Sequence, residues 1–198
     1  RVIANRSSGK QGYAIAAEAA ARGASVTLVS TVGLPTPPGV ALEPVETAAE
    51  MHAAMERLAP ACDVIVMAAA VADFRPVDPA SGKLKKRDGV PQIVLEPTPD
   101  ILAALGAAKR PGQVLVGFAA ETADLAANAR SKLAAKSLDM IVANDVGAPA
   151  TGFGHDTNAV TIFVDDGSEV SVPLTDKRAV AAAVLDQVVA RRALLSPS

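Results

Sequence analysis

Chemistry in this 198-residue chain begins at Ser7-Ser8-Gly9-Lys10-Gln11-Gly12, which stands between a short β-branched segment and an Ala-rich stretch. The segment matches the glycine fingerprint of dinucleotide-binding turns except that Ser7 replaces the first glycine. Small residues there let backbone N–H groups close on a phosphate, and the positive end of the following helix favours the anion. Gln11 follows Lys10 where a Walker loop needs Ser or Thr, so this is not a P-loop. The same spacing also serves a plain strand-to-helix turn.

Three further segments carry candidate groups. Val64–Val71 runs into Ala72-Asp73-Phe74-Arg75, and the carboxyl end of a buried parallel strand faces the ligand crevice in such sheets. Ala68, Ala69 and Ala70 leave room for a ring or sugar, while Asp73 suits a ribose, a base, a phosphate-bound metal or simply a turn. Lys83-Leu84-Lys85-Lys86-Arg87 puts four cations in five residues, either a solvated face or a flap that closes over a polyphosphate. Lys132 and Lys136, four apart, share a helix face with Arg130 close in sequence. Each cationic group alone is ordinary surface, but together they ask for a common polyanion. His52 and His155 have no metal-ligand spacing, Asp165-Asp166 reads as a hairpin turn, and neither a Ser/His/Asp order nor a nucleophile elbow is present.

The elements that must position these groups alternate between short β-branched runs and Ala-rich stretches, the pattern of βαβ units. Strands are expected at Ser25–Ser30, Val40–Val45, Val64–Val71, Gln92–Leu95, Val114–Phe118 and Met140–Ala143, with Val2–Ala4 as the tail of another. Helices are expected over Tyr13–Arg22, closed by Gly23, from a Thr47/Glu50 capping box to Ala59, from Asp100 to Ala108, and over 123–136. Val160–Val164 and Glu169–Leu174 flank Asp166-Gly167 as a hairpin, and a last helix covers Thr175–Arg192. Residues 72–91 have no apolar period and read as a long functional loop. The expected fold is α/β: a Rossmann-like, doubly wound, mostly parallel sheet with a C-terminal β-hairpin and terminal helix, all one domain over residues 1–198.

Composition bounds the function. Half the residues are hydrophobic, 3% aromatic and 20% charged, with a net charge of -2. That excludes a disordered chain, and it gives neither the basic surface nor the stacking platforms of a nucleic-acid binder. The longest uncharged apolar run, Val64–Ala72, is half of a membrane span. A single cysteine, Cys62, and no secretory signal at Arg1–Ala4 point to a reducing, cytoplasmic setting. The missing initiator Met leads to the expectation of a longer parent chain.

NRSSGK (Asn5–Lys10), LPTPPGV (Leu34–Val40), AAAVADFRP (Ala68–Pro76), KLKK (Lys83–Lys86), TPDIL (Thr98–Leu102), GFAAET (Gly117–Thr122) and ANDV (Ala143–Val146) together resemble the bacterial phosphopantothenate–cysteine ligase family. The motifs occur in the family's order along nearly the whole chain. In that family the ligase is usually the C-terminal half of a bifunctional coenzyme A biosynthesis protein, behind a flavin-dependent decarboxylase. The resemblance therefore implies that an N-terminal strand and Gly-rich turn precede Arg1, and that FMN belongs only to the absent decarboxylase domain.

The implied reaction has two steps. The carboxylate of 4'-phosphopantothenate attacks the α-phosphate of CTP, and the amine of L-cysteine then displaces CMP from the acyl-cytidylate. By the same resemblance, Asn5 and Lys83 are the catalytic positions. The CTP-binding positions are Ser7, Ser8, Gly9, Ala68, Ala69, Asp73, Phe74, Lys83, Pro99, Asp100, Ile101, Leu102, Phe118, Lys132 and Lys136. Asn5, Ala119, Ala120 and Asn144 face the substrate, and Asp73 is the candidate ligand for Mg²⁺ on the nucleotide phosphates. Whether Asn5 bonds the acyl carbonyl or positions the amine stays open, and the choice of CTP over ATP rests on the resemblance alone. The family forms homodimers through this domain, with the hairpin at Asp166-Gly167 a candidate edge, and larger oligomers in the full-length protein.

Two other readings compete. A nicotinamide-dependent oxidoreductase on the same fold needs a ribose-binding acid at the end of the strand that follows the glycine turn, where Ser30-Thr31 stands. A non-catalytic binding domain needs neither Asn5 nor the lysine flap.

Overall fold

Strands buried on both faces read as continuous apolar runs, and the computed structural model brings three such runs side by side. It describes residues 5, 7–79, 82, 92–121, 124–145 and 156–195. In chain order the elements begin with α1 (Lys10–Ala21), β1 (Val26–Ser30), β2 (Val40–Pro44), α2 (Ala48–Leu58), β3 (Val64–Met67) and β4 (Phe74–Pro76). They continue with β5 (Leu95–Pro97), α3 (Ile101–Ala107), β6 (Val114–Glu121), α4 (Leu125–Ala135), β7 (Met140–Asp145), β8 (Thr157–Val164), β9 (Glu169–Asp176) and α5 (Lys177–Leu195).

The main sheet has the order β3-β6-β7-β8-β9. β3, β6 and β7 are mutually parallel, whereas β8 and β9 close it as an antiparallel hairpin. β1 and β2 form a separate parallel pair, and β4 and β5 an antiparallel ribbon.

The period-2 alternation of strand side chains divides the core into two layers. Val114, Val116, Met140, Val142, Val160 and Ile162 pack with Ile15 of α1 and with Val180, Val184 and Val188 of α5. Leu115, Ile141, Ala143, Phe163, Ile65 and Met67 face the other way, onto Met51 of α2, Ile101 and Leu105 of α3, and Ala129 of α4. Val114, Leu115 and Val116 are all 0% exposed, which is why this run is apolar throughout. Helices therefore cover both faces of a mostly parallel sheet, the doubly wound α/β arrangement.

The local signals behave as their chemistry requires. Thr47 and Glu50 complete a reciprocal capping box at α2. Gly23 takes the left-handed conformation (φ 87°) after α1.

Several boundaries differ from the expectation. β3 stops at Met67, where its pairing with β6 ends at Gly117, and farther on the Val71 and Ala72 carbonyls accept from Asn5 and Thr98. Residues 72–91 are not wholly loop, since Phe74–Pro76 pairs with Leu95–Pro97; the second strand of this ribbon lies C-terminal to the expected Gln92–Leu95. α1 opens at Lys10 rather than Tyr13, and α5 begins only after β9 has run to Asp176. The strand tail expected at Val2–Ala4 lies outside the described residues.

One edge of this sheet gathers what matters. The carboxyl ends of β3, β6 and β7 lie there, and the register Asn144↔Val160 brings in the start of β8. The pairing Thr157↔Asp176 then adds the end of β9 and hence the start of α5.

Candidate functional site

The site is assembled by a run of contacts between segments far apart in sequence. Asn5 donates from Nδ2 to the Val71 carbonyl at 2.9 Å, tying the phosphate-loop motif to the segment after β3. The Thr98 hydroxyl donates to the Ala72 carbonyl, and its N–H to the Asp73 carbonyl at 2.9 Å. Asp100, two residues on, caps α3 by accepting the Ala103 N–H at 3.0 Å and pairs with the Lys136 ammonium at 2.8 Å. Four motifs from the sequence thus form one connected chain from Asn5 to Lys136.

Beside it, the registers Ala119↔Ala143 and Ala120↔Asn144 set the GFAAET and ANDV motifs next to each other. Asn144 and Ala119 are buried. Phe118 is half-buried against the α1/α5 layer, whereas Ile101 belongs to the opposite layer, so the candidate positions straddle the sheet edge.

The loop before α1 is shaped for close approach. Gly9 opens α1 with φ 70° and no side-chain cap. A Cβ at Gly9 would sit 3.1 Å from Val32 carbons in a conformation that L-residues rarely adopt. The first-turn N–H groups of α1 therefore lack a side-chain acceptor, the condition for anion binding at a helix end.

Val32 in turn holds the loop, its carbonyl accepting from Tyr13 Oη and Ser30 Oγ. Ser30 Oγ also accepts the Val32 N–H at 3.0 Å. The position where a nicotinamide enzyme carries its ribose-binding acid is thus a serine already engaged with backbone, which weakens the oxidoreductase reading.

Charge in the crevice is directional. Partial burial pushes the Asp100 carboxyl up, but the Lys136 ammonium and the Ala103 and Leu102 N–H groups outweigh it, leaving its pKa below the usual carboxylate range. Asp73 is exposed at the start of the ribbon. Among the described residues no group of three or more His, Cys, Asp or Glu is arranged to hold a metal. A lone exposed carboxylate suits a cation carried in on phosphate oxygens, the usual mode for Mg²⁺.

Not every expected group joins. Arg130 turns away from the crevice, pairing with Glu169 and lying 5.2 Å over the Phe163 ring. Lys10 pairs with Asp156. Lys83 and the rest of KLKK lie outside the described residues; the chain that carries them leaves from and returns to the β4–β5 ribbon, closed by Val77 N–H to the Val94 carbonyl at 3.0 Å. The Asp166-Gly167 turn is tied to its own molecule by Ser168 N–H on Asp166 and by Arg130.

Three participants escaped the sequence reading: the ribbon strand β4, Asp156 and Lys177. A three-residue strand ending in proline has no period to detect, and hydropathy does not say which lysine is buried.

Fold and site together define a doubly wound α/β domain whose candidate site lies at the carboxyl edge of its parallel strands. The chain belongs to the family of the DNA/pantothenate metabolism flavoprotein C-terminal domain, whose model matches residues 1–191. It is 47% identical over 192 residues to the coenzyme A biosynthesis bifunctional protein CoaBC of Bacillus subtilis (strain 168), covering 96% of this chain and 47% of that protein. With the CoaBC protein of Escherichia coli (strain K12) it shares 45% over 195 residues, 96% of this chain and 48% of the relative. The chain therefore spans about half the length of the curated relatives it matches. The crystal structure of the C-terminal domain of a CoaBC protein superposes with a TM-score of 0.77 at 40% identity, covering 92% of this chain and 82% of that one. A Cab2 mutant H337A in complex with phosphopantothenate-cysteine has the same fold, with a TM-score of 0.77 at 18% identity, covering 98% of this chain and 81% of that one.

Proposed function

We propose that this chain joins 4'-phosphopantothenate to L-cysteine at the expense of CTP, releasing pyrophosphate and CMP, as the ligase step of coenzyme A biosynthesis. The observation that carries this reading is the connected chain Asn5–Val71, Ala72/Asp73–Thr98, Asp100–Lys136, which draws separate motifs into one crevice beside an uncapped helix end. Membership of the family and the names of the CoaBC relatives support it.

In the first step a pantothenate carboxylate oxygen bonds to the α-phosphorus of CTP while the bond from that phosphorus to the bridging oxygen of pyrophosphate breaks. Two anions must meet, so cations set the barrier. Lys83, Lys132 and Lys136 supply fixed positive charge along the triphosphate, and the Ser7–Gly9 turn offers backbone N–H groups. Mg²⁺ bound with the nucleotide would lie at Asp73 and neutralise the phosphate oxygens. The small side chains of Ala68 and Ala69, with Phe74, Pro99, Ile101, Leu102 and Phe118, frame the base and sugar.

In the second step the cysteine nitrogen bonds to the acyl carbon, CMP leaves, and the amine proton is lost. Asn5, uncharged at every physiological pH, offers a hydrogen bond at this centre, with Ala119, Ala120 and Asn144 lining the substrate side. The role left to the KLKK residues is to keep water from the mixed anhydride. The working unit is proposed to be a cytoplasmic homodimer; among the described residues no helix is long and apolar enough to cross a membrane.

The test is pyrophosphate release from CTP and Mg²⁺ on adding 4'-phosphopantothenate, followed by CMP release on adding cysteine. The Asn5→Ala variant is expected to accumulate acyl-cytidylate. Equal loss of both steps contradicts the role of Asn5, and NAD(P)H binding without pyrophosphate release contradicts the ligase.

A further inference from the structure

At the start of α5, on the crevice edge, the fold buries most of a lysine whose ammonium has no partner among the described residues. Lys177 is 8% exposed. Its N–H donates to the Asp156 carbonyl at 3.2 Å, and its own carbonyl accepts Gln11 Nε2 at 3.1 Å, locking α5 to the first turn of α1. Its ammonium makes no hydrogen bond or ion pair among the described residues. The charges nearest to it are Lys10 and Asp156, and those two pair with each other. Burial first, and repulsion from Lys10 second, pull the lysine pKa down against the attraction of Asp156.

Adjacent to it, Gln11 Oε1 is buried without a donor among the described residues. The amide cannot simply be turned over, because Nε2 is committed to the Lys177 carbonyl. The first N–H groups of α5 are capped by Asp176, so an anion here is held by the Lys177 side chain and not by that helix end.

A cation and an acceptor without partners among the described residues, on two residues joined through the Lys177 carbonyl, suit a small molecule carrying both an anionic oxygen and an N–H donor. A phosphate monoester satisfies only the first, whereas an α-amino acid satisfies both. Resting on the ligase reading, we infer that Lys177 and Gln11 form the subsite for the amino-acid co-substrate, with the carboxylate on Lys177 and the α-amine on Gln11 Oε1. Lys177 is then the residue that distinguishes cysteine from amines lacking a carboxylate.

The test compares kcat/KM for L-cysteine with that for cysteamine, which keeps the amine and thiol but lacks the carboxylate. In Lys177→Met the preference for cysteine is expected to fall about 10- to 100-fold, the range of a lost charged hydrogen bond, and Lys177→Arg is expected to restore part of it. An unchanged ratio, or equal loss on both amines, makes Lys177 structural and overturns the subsite while leaving the ligase intact. A second arm is independent of turnover: L-cysteine is titrated into the chain while the Gln11 side-chain amide is followed by NMR. A shift weakened at least tenfold in Lys177→Met supports the subsite even if pyrophosphate release fails and the ligase reading falls; no shift at Gln11 overturns it.

Discussion

Gly106 offers the sharpest test of how the proposed nucleotide side of the site is built. It lies in α3 against the end of α4, where a Cβ would stand 1.9 Å from the Lys136 carbonyl oxygen and 2.9 Å from its carbon. Ordinary contact begins near 3.4 Å, so Gly106→Ala must drive the two backbones about 1.5 Å apart. Neither partner is a side chain that can rotate aside.

Overpacking of this kind costs about 3 kcal/mol, the upper end for an inserted methyl group, whereas alanine gains about 1 kcal/mol over glycine in helix propensity. The net expectation is a loss of about 2 kcal/mol, lowering Tm by about 4–8 °C in a chain of this size. The displaced Lys136 also loses its hold on Asp100, so affinity for CTP should drop at least several-fold. Denaturant unfolding, with the m-value checked for constancy, and calorimetric titration with CTP read the two effects. A variant as stable as the parent, with unchanged affinity, refutes the α3–α4 contact and the argument built on it.

Three further outcomes follow from the same contacts. Lys136→Met should let the Asp100 carboxyl rise towards its ordinary 3.8, measurable by NMR titration. Because Asp100 is lowered in the fold, the stability that its pairing contributes is full above the ordinary carboxylate range and lost only as pH falls through the lowered value. Asp139, 3% exposed, accepts the Leu115 N–H at 2.7 Å and the Lys109 ammonium at 2.9 Å. Asp139→Ala should cost about 3 kcal/mol in denaturant unfolding by stranding a buried donor and a cation. Lys177→Met should stabilise the fold slightly at pH 7 in denaturant unfolding, since burial and Lys10 both disfavour the charged lysine. That gain should shrink as pH rises towards the ordinary lysine value, because the lowered pKa lets Lys177 shed its proton in the folded state first. A destabilised variant would contradict the burial described.

How much of this was legible in the sequence depended on whether the signal was local. The Thr47/Glu50 capping box, the left-handed Gly23 and the strands beginning at Val114 and Met140 are properties of a few adjacent residues, and the structure has them where expected. The ribbon was not legible, because Phe74–Pro76 and Leu95–Pro97 are short, end in proline and stabilise each other only across the segment between them. Nor was the fate of the cations. Arg130, Lys132 and Lys136 look alike on one helix, yet Arg130 reaches Glu169 on β9 and Lys136 reaches Asp100 on α3, a choice made by tertiary neighbours. The resemblance supplied the motifs and their candidate roles; the contacts that join Asn5, Thr98 and Asp100 into one crevice came from the fold.

The central claim is that one triphosphate is met by all of these groups at once, and backbone NMR during a CTP titration measures that directly. Resonances of Ser8 and Gly9, Ala69–Asp73, Asp100–Leu102, Phe118 and Lys136 should shift together and fit a single Kd. Shifts confined to one of these segments, separate Kd values, or a response centred on the 260 Å³ cavity between His52, Ala104 and Arg110 would contradict the account.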